Sequence, residues 1–139
     1  MRATQCAGRA LLAGVFIHGG LSTLLEPDPR VEAAGPLLAW LRKRLPVLPG
    51  DQALVRANAG VHLAAGLLLA TGAFQRLTSS LLALSLVPTT IAGHGYPFWE
   101  SSDPAQRDAE LIQLVKNTAV FGALVFLAGS ASSPGGGRR

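Results

Sequence analysis

The chain has 139 residues, of which 49% are apolar and 14% charged, and its formal net charge is +4. A typical globular domain carries about 25% charged residues. The mean hydropathy of +0.36 and the long windows without charge therefore argue against an ordinary soluble domain. The basic residues form no aromatic-interleaved stripe, which argues against nucleic-acid binding and favours contact with anionic lipid headgroups. Cys6 is the only cysteine, so an internal disulfide is excluded.

Four windows approach the about 20 apolar residues that a helix needs to cross a bilayer core. They cover roughly residues 7–25, 53–74, 77–93 and 111–129, and they predict an all-α transmembrane four-helix bundle. The first window resembles a signal peptide, but it is longer than the usual apolar region and no A-x-A-like site directly follows it. We therefore predict that it is an uncleaved first span. The third window is short and contains Pro88, so we expect neighbouring helices to supply its missing hydrogen bonds.

The loop after the first span contains an amphipathic segment. Its apolar residues recur at helical spacing and are Leu37, Leu38, Leu41 and Leu45, whereas the basic residues Arg42, Lys43 and Arg44 lie on the other side. Pro36 suits the first position of a helix. About ten residues are too few to span, so we predict an interfacial helix with Trp40 at headgroup level and the three basic residues as anchors. An ordinary amphipathic helix packed on protein is the alternative.

The loop before the fourth span carries signals for the start of a helix. Asp103 is a good N-cap, Pro104 fits the first helical position, and Gln106 stands where a capping box needs its amide. The fourth helix is therefore expected to begin outside the membrane, with Arg107 and Glu110 paired at i,i+3. We predict one membrane domain over residues 1–130 and a disordered tail over residues 131–139, which are mostly small and polar.

Polar residues of all four spans fall in the same half of the bilayer if the spans are antiparallel. They are His18, Asn58, His62, Thr89, Thr90, His94, Lys116 and Asn117. Ionisable groups inside a membrane mark functional sites by default, so these residues predict a ligand pocket lined by four helices. The alternative is interhelical hydrogen bonding without a ligand, with Lys116 reaching to the interface. We expect no metal site, because the sequence shows no close pair of a histidine and a carboxylate.

The spacing of these residues predicts which helix faces turn inward. Gly14, His18 and Ser22 are spaced four residues apart, and so are Asn58 and His62. Such polar and small-residue stripes favour close helix packing in lipid. We also expect Lys116 to face inward, and Thr89 or a neighbouring helix to bond the carbonyl that Pro88 frees on Leu84. Tyr96, Phe98 and Trp99 favour an aromatic belt at the interface, with Trp99 as an anchor, over a stacking site.

Several segments together resemble the DoxX family in its actinobacterial form. They read FIHGG, RANAGVHLAAGLLLATG, RLTSSLLALSLVPTTIAGHGYPFWE, DPAQR and LVKNTAVFGALVFLA, and they cover nearly the whole chain up to the tail. The resemblance implies a four-helix integral membrane protein that is similar to the small subunit of thiosulfate:quinone oxidoreductases and to membrane subunits of redox or sulfur-stress complexes. Two departures are His62 in place of the family's usual glutamine, and the single Gly122 in place of a double glycine.

The resemblance implies a multi-pass subunit of the cell membrane that anchors a soluble or membrane redox partner. Quinone is the one cofactor that it suggests, and no residue is assigned a catalytic role. The alternatives are an independent small-molecule carrier or enzyme that uses the polar pocket, and a lipid-binding or purely structural protein. Basic residues are nearly balanced between the two sides of the bundle. Bias near the first span usually dominates, which favours cytoplasmic termini.

Overall fold

The computed structural model describes residues 2–130, and within them the chain is helical with short connections. Its helices are α1 Arg2–Leu25, α2 Asp28–Arg44, α3 Asp51–Thr71, α4 Gln75–Thr90, α5 Tyr96–Glu100 and α6 Pro104–Ser130, with a π-helical turn at Ile91–Gly95 between α4 and α5. The predicted all-α class is therefore confirmed. The tail predicted over residues 131–139 lies outside the described residues.

Four helical segments are long and apolar enough to cross a membrane, as predicted: Ala3–Leu25, Asp51–Thr71, Gln75–Glu100 and Pro104–Ser130. The third is longer than the sequence suggested, because Pro88 does not end the helix. The chain continues from α4 through the π-helical turn into α5, so the third candidate span has 26 residues. A local π-helical adjustment is one of the ways in which a membrane helix accommodates a proline.

The turn between α3 and α4 is a Schellman motif that closes a tight hairpin. Gly72 lies in the left-handed region with φ of 80°. Its amide donates to Leu69 O at 3.0 Å, and the Ala73 amide donates to Leu68 O at 3.0 Å. Glycine adopts this conformation without the steric penalty of a Cβ. The short connection confirms that the second and third spans are antiparallel neighbours.

The core is one cluster of buried apolar side chains shared by the four spans. It contains Ala13, Phe16, Ala65, Leu69, Leu82, Ala83, Leu86 and Leu124. The spans contact one another in chain order, α1 with α3, α3 with α4, and α4 with α6. Of α6, only Leu124 is buried, so most of this helix faces outward.

At the end of the bundle where α1 begins, one side chain joins three helices. Gln75 Oε1 accepts a hydrogen bond from Arg9 Nη1 of α1 at 3.4 Å. Gln75 Nε2 donates to the carbonyl of Leu127 in α6 at 3.0 Å. A polar side chain in the first turn of α4 therefore ties α1 and α6 to it.

The amphipathic helix of the first loop is longer than predicted. It spans 17 residues, with Pro29 in its first turn, and Pro36 lies inside the helix rather than at its start. The prediction of a ten-residue helix that begins at Pro36 is therefore wrong. The earlier start has its own signal, since a first-turn proline and Asp28 suit a helix N-terminus. α2 also packs on α3 and on the π-helical turn, with Leu38 buried.

The start of α6 follows the predicted cap in part. Asp103 Oδ1 accepts the Ala105 amide at 3.1 Å, which confirms the N-cap, and Pro104 is the first helical residue. Gln106 does not complete a capping box with Asp103. Its Oε1 accepts the Ser101 hydroxyl at 2.8 Å, and Ser101 Oγ in turn accepts the Asp103 amide at 3.2 Å. Ser101 therefore takes the place that the capping box assigns to glutamine.

Candidate functional site

Two consecutive threonines of α4, together with Asn58 of α3 and Asn117 of α6, form a set of hydrogen-bonded side chains that we call the polar layer. Thr89 Oγ1 accepts a hydrogen bond from Asn58 Nδ2 of α3 at 3.0 Å. Thr90 Oγ1 accepts one from Asn117 Nδ2 of α6 at 3.1 Å. Successive helical residues point about 100° apart, so neighbouring threonines can bond different helices. α4 is thereby hydrogen-bonded to α3 on one side and to α6 on the other.

The Thr89 hydroxyl also donates to the Ser85 carbonyl at 2.8 Å. This hydroxyl, which was one of the two partners expected for the Leu84 carbonyl freed by Pro88, therefore does not bond that carbonyl. The other expected partner was a neighbouring helix. A threonine hydroxyl ordinarily reaches the carbonyl one turn earlier, which here belongs to Ser85.

One turn beyond Thr90, the π-helical turn brings His94 to α6. His94 Nδ1 lies 2.7 Å from Glu110 Oε2, and the two side chains are 31% and 21% exposed. Because α4 and α6 are antiparallel, the step forward from Thr90 to His94 on one side is matched by a step back from Asn117 to Glu110 on the other. The two contacts therefore form successive rungs between the same two helices, one with neutral groups and one with ionisable groups.

Glu110 was not among the predicted site residues. The sequence predicted instead that it pairs with Arg107 at i,i+3. The Arg107 guanidinium instead lies 5.0 Å from the centre of the Phe98 ring. The expectation that no histidine has a close carboxylate is also wrong, since His94 and Glu110 are in contact. Among residues 2–130, no group of three or more potential metal-ligating side chains occurs. The position of Glu110 as the last acidic residue before the fourth span was the one available signal.

A groove opens outward between α4 and α6, directly beside the Thr90–Asn117 hydrogen bond. Its volume is about 180 Å³, and it is lined by Leu86, Val87, Thr90, Ile91, Asn117, Thr118 and Phe121. The lining is mainly apolar. An amide group carries two N–H donors and one carbonyl acceptor, so the bond to Thr90 uses one donor of Asn117. The groove therefore offers hydrocarbon contacts and an amide.

The sequence model of the DoxX family matches residues 4–95. The chain belongs to the DoxX family. No curated protein and no solved structure matched it. With its four candidate spans, this DoxX-family chain is a multi-pass membrane protein. The match ends at the π-helical turn, so Glu110 and Asn117 of α6 lie outside the matched residues.

His62, one of the two residues at which the resemblance implied a departure from the family, lies in the contact between α1 and α3. Its side chain is 7% exposed. The imidazole meets the Phe16 ring edge-on, with centroids 5.3 Å apart, and its buried Nε2 has no partner. His62 therefore lies in close packing and does not line the groove.

Two further candidates of this DoxX-family protein face away from the polar layer. His18 is exposed on α1. Lys116 is exposed on α6 and donates to Gln113 Oε1 at 3.0 Å. The expectation that both lie on inward faces is therefore wrong. The structure brings together Asn58 with Thr89, Thr90 with Asn117, and His94 with Glu110.

The predicted interface anchors divide into two groups. Arg42 forms an ion pair with Asp51 at the start of α3, and it also donates to the carbonyls of Leu48 and Pro49. It therefore fixes the loop between α2 and α3. Lys43 and Arg44 are exposed, and the Arg44 guanidinium lies 4.2 Å from the centre of the Trp40 ring.

Trp99, predicted as an interface anchor, is 64% exposed. It contacts Tyr96 edge-on at 6.0 Å. Its ring also covers Gly95, where a Cβ would lie 3.2 Å from the indole. The absence of a side chain at Gly95 thus lets the indole pack against the π-helical turn.

Proposed function

We propose that this protein is a membrane subunit, or anchor, of a quinone- or sulfur-linked redox complex in the cell membrane. The observation that carries the proposal is the groove between α4 and α6, with Asn117 and Thr90 beside the His94–Glu110 pair. A quinone has a flat ring, carbonyl acceptors and an apolar tail. The free amide N–H of Asn117 matches a carbonyl, and the apolar walls match the ring.

The size of the groove supports a single-ring ligand. Pockets for whole drug-sized molecules enclose about 300 to 1,000 Å³. The groove, at about 180 Å³, is smaller and opens outward between two candidate spans. It accommodates a head group whose tail extends into the bilayer. Bound quinone would accept electrons, while Asn117 would orient its carbonyl and the His94–Glu110 pair would hold a proton nearby.

The outward surface of α6 supports the subunit role. In the apolar 18-residue stretch of this helix, only 6% of the residues are buried within the chain, whereas 33% are buried in the corresponding stretch of the third span. Its exposed residues include Ile112, Val115 and Phe126. A surface of this kind accommodates either lipid or a membrane partner. A partner that covers it would lie next to the groove.

The first experiment tests the partner. The tagged full chain is purified in mild detergent from its native membranes and compared with an unrelated four-span protein carrying the same tag. We expect a protein with flavin, haem or iron–sulfur absorbance to co-purify specifically. Its absence would contradict the subunit role.

The second experiment tests the groove with a photoreactive azidoquinone and the purified chain in lipid nanodiscs. We expect labelling of α4 or α6, and loss of labelling in Asn117→Leu. Asn58→Leu is the matched control, because it removes the equivalent hydrogen bond on the other side of α4. Labelling without a redox partner would support the second candidate function, an independent ligand carrier, to which the groove also points. Failure of both experiments would contradict both functions.

The exposed cations of α2 support a third element of the proposal, attachment of this helix to anionic lipid. The double substitution Lys43→Gln/Arg44→Gln should reduce the anionic lipid that co-purifies with the protein, since each basic residue near such a surface contributes about 1 kcal/mol. Arg42→Gln is the control. It should leave bound lipid unchanged but lower thermal stability, because Arg42 is committed to Asp51. Equal lipid loss in both variants would contradict this role.

A further inference from the structure

We propose that the outward face of α1 is the interface between two parallel copies of this chain, centred on His18. The proposal is independent of the redox role. It concerns the side of the bundle away from the α4–α6 groove. It starts from an ionisable side chain whose surroundings do not suit hydrocarbon.

His18 is exposed in the half of the first span that ends at Leu25. Among residues 2–130 it has no hydrogen-bond, ionic or ring partner. It lies seven residues before the end of α1 at Leu25. At a rise of 1.5 Å per residue this places its backbone about 10 Å below the end of the helix. The imidazole is carried on a single methylene and cannot reach the headgroups as a lysine does. Ionisable groups at such depth almost always face protein or a water-filled cavity.

The exposed residues around His18 have the spacing of a coiled-coil seam. The exposed positions Leu11, Gly14, His18, Leu21 and Leu25 repeat with alternating steps of three and four. This is the a/d pattern of a heptad, with Leu11, His18 and Leu25 at a positions and Gly14 and Leu21 at d positions. The opposite side of α1 carries Ala13, Phe16 and Gly20, which are already buried against the rest of the chain. The seam is therefore a second, separate packing surface on the same helix.

A second copy of the chain matches this seam in depth and in hydrogen-bonding groups better than another partner does. When two copies insert with the same orientation, a two-fold axis along the membrane normal places each residue opposite its equivalent at the same depth. In a parallel pair, the a positions face each other. A neutral imidazole has one donor and one acceptor nitrogen, so two of them are complementary. His18 of one copy would therefore donate to His18 of the other.

The backbone leaves room for this approach. A Cβ added at Gly14 would meet nothing within 4 Å inside the chain. Small residues one turn from a polar group let membrane helices come close enough to hydrogen-bond. On α6, by contrast, the outward-facing Thr118 hydroxyl donates to the Leu114 carbonyl at 2.8 Å, and Lys116 is bonded to Gln113. Those polar groups on α6 are satisfied within the helix, whereas His18 is not.

The test is cysteine cross-linking of the full chain, with Cys6→Ser as background, reconstituted alone in vesicles. Leu11→Cys and Leu21→Cys should each give a disulfide-linked dimer on mild oxidation. Val125→Cys on α6 is the control, since it is 51% exposed and Leu21 is 47% exposed. It should cross-link weakly. Equal cross-linking at Leu21 and Val125 would overturn the proposal.

A second variant tests the role of the imidazole. In the Leu21→Cys background, His18→Leu should weaken dimerisation roughly 3- to 30-fold, the range that interhelical hydrogen bonds of about 0.6 to 2 kcal/mol provide. His18→Asn keeps a donor and an acceptor and should retain the dimer. Helical content and melting temperature verify that each variant is folded. Folded protein that stays monomeric in vesicles, or that cross-links through α1 only to a different protein in native membranes, would overturn the second copy as the occupant.

Discussion

The α1–α3 contact and the α4–α6 contact join the same bundle by different means. Between α1 and α3 the backbones meet at Gly20, where a Cβ would lie 2.7 Å from Ala59 O and from Leu63 N. Between α4 and α6 the contact is bridged by the hydrogen bonds of Asn117 and Glu110, and a groove remains beside it. The α1–α3 contact therefore depends on close backbone packing, whereas the α4–α6 contact depends on hydrogen bonds between side chains.

The difference between the two contacts indicates where the bundle has space for a ligand. Close packing in lipid comes from small residues and dispersion contacts, and it leaves no space for a ligand. Between α4 and α6, a groove remains beside the Thr90–Asn117 hydrogen bond. The α4–α6 contact therefore combines accessible volume, an amide and an ionisable pair, which the α1–α3 contact lacks.

The largest expected effect comes from breaking the close contact. Gly20→Ala places a methyl group against the backbone of α3, so we expect the free energy of unfolding to fall by about 1 to 3 kcal/mol, as in other overpacked cores. Reversible unfolding in detergent measures this change. Gly122→Ala is the matched control, since its Cβ would meet nothing within 4 Å. A helical alanine there should be neutral or stabilising by up to about 1 kcal/mol. Equal effects of the two variants would contradict the contrast between the contacts.

The next prediction asks whether the α1–α3 contact needs its imidazole. His62 is buried with Nε2 unpartnered, and an unsatisfied buried polar group costs about 1 to 3 kcal/mol. His62→Leu keeps an apolar side chain against Phe16, and we expect the unfolding free energy to stay equal or to rise by about 1 kcal/mol. Quinone labelling should not change. A clear loss of stability or of labelling would mean that His62 has a polar role.

A smaller effect is expected at the ionisable rung of the α4–α6 contact. Glu110→Leu removes the partner of His94, and because both side chains are partly exposed the loss should be below about 1 kcal/mol. Glu110→Gln keeps a hydrogen-bonding group at the same reach and should lose less. Thermal unfolding of the two variants in parallel measures the difference. If Glu110→Gln were as destabilising as Glu110→Leu, charge rather than hydrogen bonding would hold the rung.

The smallest effect should come from Lys116. It is exposed and bonded to Gln113 on its own helix. Lys116→Met should change the unfolding free energy by less than about 0.5 kcal/mol, as is usual for surface positions. Quinone labelling should also be unaffected. Loss of labelling would show that the lysine side chain reaches the groove and belongs to the ligand site.

The sequence predicted the elements whose causes are local. The four spans follow from apolar length, the tight second hairpin from the few residues between two spans, and the α6 cap from Asp103 and Pro104. Each depends on residues that are near one another in the chain. The early start of α2 was not predicted, because Pro36 suits the first turn of a helix and Pro29 suits it equally well.

The direction of each helix face was decided by tertiary structure alone. In water the polar side of a helix marks the outside, but in lipid both sides are apolar and the pattern carries no such contrast. The same spacing of four therefore fitted His18 and His62 equally, yet one faces outward and the other is buried. The His94–Glu110 pair also required the π-helical turn to bring residues 16 positions apart into contact. Helical periodicity determined which residues share a face, and only the packing of the four helices determined where that face points.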